Sequence, residues 1–116
     1  MPGVIFRPIH FTPWSSKHQG KVCQGVQVHV IDREAYKPLH TGLEIIAVCQ
    51  ELAQRDFSFL PPSGDDRRCH FDLLAGSDRL RLNLLNRTPV QEMARHWEAG
   101  LAGFLKTRAN YLIYDE

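Results

Sequence analysis

The run Val22-Cys23-Gln24-Gly25-Val26-Gln27-Val28-His29-Val30 decides how the chain is read. Successive side chains of a strand point to opposite sides. Val22, Gln24, Val26, Val28 and Val30 therefore share one face, and Cys23, Gly25, Gln27 and His29 share the other. A strand with one valine-rich face is expected in a sheet covered on one side only. The second row sets a thiol, an amide and an imidazole around a glycine that lets a ligand or another chain approach closely. Cys23, Gln27 and His29 are candidate site residues on that pattern, which also describes an ordinary solvent-facing sheet surface.

Toward the N-terminus, residues 4–11 are apolar and β-rich, and Pro8 removes one ladder donor, so an edge strand or a break is expected there. Between the two strands lies Phe11-Thr12-Pro13-Trp14-Ser15-Ser16-Lys17-His18-Gln19-Gly20. This connection is much longer than a hairpin turn needs, and such loops are where binding residues concentrate.

Toward the C-terminus the period changes to helical. Thr41-Gly42-Leu43-Glu44 reads as a capping box opening a helix that ends near Asp56, with Leu43, Ile46, Ala47, Leu52 and Ala53 on its apolar side. Pro61-Pro62-Ser63-Gly64-Asp65-Asp66-Arg67-Arg68 is a polar surface break. A short helix follows from Ser77 or Asp78 to Asn86, burying Leu80, Leu84 and Leu85. Thr88-Pro89-Val90-Gln91 is a second capping box with proline in the first turn. Behind it, Val90, Met93, Ala94, Trp97, Leu101, Phe104 and Leu105 hold helical spacing over four turns and predict a core-facing stripe. Tyr111-Leu112-Ile113-Tyr114 reads as a closing strand. The sum is an α+β domain, a small antiparallel or mixed sheet packed on two or three helices.

Composition bounds the function. The chain has 116 residues, the size of one domain. Fourteen Lys+Arg against 13 Asp+Glu leave a net charge of +1, too balanced for nucleic acid or a membrane surface as the main partner. No apolar run approaches the roughly 20 residues of a membrane span. The first residues lack a basic segment followed by an apolar core, so no signal peptide is expected. Cys23, Cys49 and Cys69 are odd in number and widely spaced, which excludes a full disulfide framework.

The usual catalytic signatures are missing. No GxSxG, GxxxxGK[ST], HExxH or GxGxxG occurs. On a regular strand Cys23 and His29 lie about 20 Å apart, too far for a nucleophile–base pair. His10, His18, His29 and His40 lack metal-ligand spacing, and no two carboxylates stand out as an acid/base pair. From the residues alone, a binding or accessory domain is a better reading than a complete catalyst.

A resemblance sharpens this. Pro2-Gly3-Val4-Ile5-Phe6-Arg7-Pro8, Phe11-Thr12-Pro13 with Ser16-Lys17, and Cys23-Gln24-Gly25-Val26-Gln27-Val28-His29-Val30 with Asp32-Arg33 resemble the C-terminal domain of the bacterial exo-β-N-acetylmuramidases. Thr41-Gly42-Leu43, Phe71-Asp72-Leu73-Leu74-Ala75-Gly76-Ser77, Trp97 and Tyr111-Leu112-Ile113-Tyr114 continue the likeness along the whole chain. The resemblance implies that residues 1–116 are one accessory domain, with the N-terminal Rossmann-like catalytic domain of such enzymes absent. The family's catalytic glutamate maps onto no residue of this chain, so the fragment alone is expected to be inactive.

The expected partners are that catalytic domain and muramic-acid-containing peptidoglycan fragments, whose non-reducing-end N-acetylmuramic acid the enzymes remove. No nucleic acid, membrane span, metal or organic cofactor is implied. The implied location is the cell envelope or outside the cell. Thr12, Ser16, Lys17, Cys23, Gln27 and His29 are expected to line the cleft or bind substrate. Lys17 would meet the lactyl carboxylate and Gln27 and His29 the sugar hydroxyls or acetamido group, while Thr12 and Ser16 order the loop. The alternative is a free-standing, non-catalytic glycan-binding or protein-interaction module. An exposed apolar patch favours the accessory reading and a self-contained polar surface the alternative.

Overall fold

The computed structural model describes residues 1–62 and 68–114. The chain is α+β: a two-stranded antiparallel sheet and, among the described residues, four helices. It divides into two compact units, Met1–Thr41 and Gly42–Glu116, and each is described by itself.

The first unit is a long β-ribbon. β1 (Val4–Phe11) and β2 (Cys23–Val30) pair antiparallel over their full lengths, from Val4 opposite Val30 to Phe11 opposite Cys23. β1 runs unbroken through Pro8, which stands opposite Val26; a two-stranded ribbon consists only of edges, so the missing donor is tolerated. The open end of the ribbon is locked by Gly3. Its carbonyl accepts from the Ile31 N–H at 2.9 Å, and its φ is +75°. A Cβ there would stand 2.6 Å from the Asp32 carbonyl oxygen and 2.7 Å from the Tyr36 nitrogen, so only glycine fits. Asp32 braces the same corner, its Oδ1 accepting from the N–H groups of Glu34 and Ala35 at 3.0 and 3.2 Å.

One expectation fails here. The valine face is not covered: Val26, Val28 and Val30 are 55, 38 and 45% exposed. Two strands present too little surface to seal a face, so alternation selects the strand without burying its apolar row.

α1 (Pro38–Leu52) begins three residues before the expected start. Pro38 opens it, where a missing N–H leaves nothing unsatisfied. Thr41 consequently lies inside the helix and caps nothing: its hydroxyl donates to the Lys37 carbonyl at 3.0 Å, four residues back. α1 also stops earlier than expected, and Leu52, placed on the apolar side by pattern, is 82% exposed.

The second unit contains α2 (His70–Ala75), α3 (Arg79–Leu85) and α4 (Val90–Ala109). Leu43 of α1, Leu84 of α3, and Val90 and Met93 of α4 form its buried centre, ringed by Ile46, Ala47, Phe59, Phe71, Leu80 and Trp97. Phe59 joins two aromatic contacts, its ring 5.4 Å from Phe57 and 4.9 Å from Phe71. Phe59 lies outside the helical stripes, so helical spacing gives no sign of its place against the core.

α2 is tied to α3 by a two-pronged ion pair. Arg81 Nε and Nη2 donate to Asp72 Oδ1 and Oδ2, both at 2.8 Å. These bonds hold the Arg81 guanidinium above its ordinary pKa. Asp72 is 8% exposed, so a carboxylate inside a family-like apolar motif is accounted for by its partner.

Four more expectations are corrected. The Thr88 box does not form: Pro89 occupies the N-cap, the Thr88 hydroxyl meets Asn83 Oδ1 at 3.5 Å, and Gln91 Nε2 donates to Glu44 Oε1 at 2.9 Å. The end of α3 commands these residues instead. The Thr88 N–H bonds the Asn83 carbonyl at 2.9 Å and the Arg87 N–H bonds the Leu84 carbonyl at 3.0 Å, with Arg87 at φ +56°. That is a Schellman ending, and it uses Thr88 before any cap can. Next, Leu85 is 49% exposed, and the C-terminal part of the α4 stripe does not sink: Leu101, Phe104 and Leu105 are 50, 60 and 47% exposed. Finally, Tyr111-Leu112-Ile113-Tyr114 is turn and bend, with no strand pairing it among the described residues.

Candidate functional site

The sequence-predicted site residues all lie in the first unit, and the ribbon's register sorts them. Thr12, Ser16 and Lys17 sit on the connecting loop, and Cys23 stands where that loop re-enters the sheet opposite Phe11. Gln27 pairs with Arg7, and His29 with Ile5 near the far end. At about 3.3 Å per residue, His29 is roughly 20 Å along the strand from Cys23. The loop group and the Gln27/His29 group are thus two clusters on one ribbon.

The loop has a defined shape. The Gly20 N–H reaches the Pro13 carbonyl at 3.0 Å, Lys21 reaches His18 at 3.0 Å, and Gln19 reaches Ser16 at 3.3 Å. Ser16 and His18 adopt φ of +67° and +60°, left-handed conformations that non-glycine residues hold only under constraint, and Gly20 follows at +72°. Thr12, Ser16 and Lys17 are exposed on it. Cys23 is half-buried, and its thiol donates to the Lys21 carbonyl at 3.6 Å. Beside it Gly25 lies under the Phe11 ring; a Cβ there would come within 3.0 Å of Phe11 Cε1. The glycine that looked like room for a ligand is filled by the protein's own aromatic side chain.

Two residues were missed by pattern. Arg7 shares a face with Gln27 and His29 and is exposed, so the polar row continues on the neighbouring strand. Only pairing reveals this, since nothing in the order of residues states which side chains of β1 meet which of β2. Trp14 stands 93% exposed on the loop. Its signal was available: a tryptophan within a Pro/Ser/Gly-rich connection has no periodic reason to be there.

In the second unit, a recess of about 460 Å³ is lined by Glu44, Glu51, Arg87, Thr88 and Gln91 over an apolar floor that includes Leu84 and Val90. It contains none of the expected site residues. Among the described residues, no three His, Cys, Asp or Glu side chains gather as metal ligands. No helix among them is long and apolar enough to cross a membrane.

Comparison with known proteins gives three findings. The family described as "Exo-beta-N-acetylmuramidase NamZ, C-terminal" matches residues 1–114. Over 114 residues the chain is 42% identical to the peptidoglycan beta-N-acetylmuramidase NamZ of Bacillus subtilis, covering 98% of this chain and 26% of that protein. A crystal structure of a DUF1343 family protein from Bacteroides fragilis superposes with a TM-score of 0.82 at 27% identity, covering 99% of this chain and 30% of that one. The chain thus spans about a quarter of the curated relative's length.

Proposed function

Because the chain belongs to the family of C-terminal domains of the exo-beta-N-acetylmuramidase NamZ, we propose that it is the accessory domain of a peptidoglycan-processing glycoside hydrolase. It is inactive alone and contributes to a cleft completed by an N-terminal catalytic domain. The observation that carries this reading is the match itself, which runs along nearly all of this chain and is confined to about a quarter of a muramidase.

The exposed apolar surface supports it. Leu101, Phe104 and Leu105 on α4, followed by Tyr111, Ile113 and Tyr114 at 79–88% exposure, are more than a self-contained polar module would leave in water. Thr12, Ser16, Lys17 and Cys23 form the loop-side part of the proposed cleft, and Gln27 and His29, with Arg7 opposite, the ribbon-side part. An ammonium at Lys17 suits the carboxylate of muramic acid.

The test is a hybrid in which this chain replaces the matching region of the Bacillus subtilis relative. Release of N-acetylmuramic acid is expected from the hybrid and from neither the chain alone nor the truncated relative. Full activity of the truncated protein would favour the free-standing module instead. In the hybrid, Lys17→Ala is expected to raise KM for muramic substrates, and unchanged kinetics would remove Lys17 from the cleft.

A further inference from the structure

The ribbon stands apart electrostatically from the rest of the chain. No Asp or Glu precedes Asp32, while Arg7, Lys17, Lys21, His10, His18 and His29 all do. Three Lys+Arg and no carboxylate leave +3 on the first 31 residues, so the remaining 85 carry 11 Lys+Arg against 13 Asp+Glu, or −2. Among the described residues no ion pair engages Arg7, Lys17 or Lys21. At the loop end of this unneutralised ribbon stands Trp14, 93% exposed, on a loop held by three backbone hydrogen bonds and two strained residues.

A large aromatic ring left in water on a braced loop is a preformed stacking surface, and little conformational entropy is lost when a partner settles on it. We infer that Trp14 is a sugar-stacking platform: its indole takes the apolar face of a pyranose in an anionic glycan. Lys17 and Lys21 on the same loop draw the glycan's negative charge. Charge complementarity favours an anionic occupant, because an acid-free surface attracts anions and adds nothing to a neutral chain beyond the stacking itself. The inference rests on the accessory-domain reading only for the choice of glycan, and it adds a contact residue that the reading does not contain.

The experiment titrates the 116-residue chain with a carboxylate-bearing amino-sugar oligosaccharide and with a neutral amino-sugar oligosaccharide of equal length. Tryptophan emission and amide shifts are followed at low and high salt. The expected result is a blue shift of Trp14 emission, amide shifts centred on residues 12–21, and binding to the anionic sugar that weakens with salt. Trp14→Ala is expected to weaken binding about tenfold, Trp14→Phe to restore most of it, and the neutral sugar to bind several-fold more weakly.

Equal affinity of wild type and Trp14→Ala, or of the two sugars, would overturn the inference. So would Trp14 emission that ignores both sugars and responds only to an added N-terminal domain, which would assign the ring to a protein contact. The two readings fail separately. Trp14-dependent binding with a hybrid that needs no accessory domain removes the proposed function alone. Hybrid activity that needs the domain, with no effect of Trp14→Ala on Kd or KM, removes the stacking site alone.

Discussion

The two halves of α4 carry one apolar stripe and meet different fates. Val90, Met93 and Ala94 are buried, at 1–4% exposure, while Leu101, Phe104 and Leu105 on the same helix are about half exposed. Apolar character and spacing do not differ between them; what differs is whether another surface lies opposite. The first half has Leu43, Leu84 and Leu80 against it. A hydrophobic period is thus an offer of burial, and an offer not taken up within one chain is a place to look for a partner.

Substitutions along the helix can break this contrast. The largest effect is expected from Met93→Ala or Leu84→Ala, which should cost about 2–5 kcal/mol in denaturant unfolding, because each empties a fully buried site. A loss below about 1 kcal/mol would mean the front half is as loosely held as the back. Replacing Arg87 by Gly is expected to stabilise by about 1 kcal/mol in the same assay. A left-handed non-glycine residue at the end of α3 carries a steric penalty that glycine relieves, less some gain in unfolded-state freedom. Destabilisation instead would show that Arg87 contributes more through its place in the recess beside Glu44 and Glu51 than its backbone costs.

Smaller effects sharpen the comparison. Phe104→Ala should shift the stability of this chain by about 0.5 kcal/mol or less, since the side chain is already largely in water. The same change in the two-domain hybrid should lower its melting temperature, and a hybrid indifferent to it would leave that face without a partner. Thr88→Ala should cost well under the roughly 1 kcal/mol of a lost helix cap, because the Thr88 hydroxyl caps nothing. A full cap-sized loss in thermal unfolding would restore the capping box.

How much was legible in advance varies with the range of the interaction. The strand at Val26-Gln27-Val28, the helix around Leu80 to Leu84 and the helix carrying Met93 were readable because backbone period and side-chain order are local properties. The two capping boxes were misread for one reason. Thr41 and Thr88 each follow a helix-compatible residue, and competition from the preceding segment decided between cap and interior: Pro38 opening α1 early, the Schellman ending of α3 consuming Thr88. Of the candidate residues, Thr12, Ser16 and Lys17 could be placed on a loop in advance because a long polar connection is visible in the sequence. Arg7 was missed because facing partners across a ribbon depend on register.

By itself the sequence determined the α+β class, the family, the ribbon's two strands, and a stretch of 31 residues free of carboxylates before Asp32, since each depends on composition or on neighbours a few residues apart. Only the tertiary structure decided which apolar residues are buried, that Phe11 fills the space over Gly25, that Asp72 finds Arg81, and that Trp14 stands in water. Burial and pairing are set by the surfaces that the folded chain brings opposite one another, and a residue's place in the order does not name them.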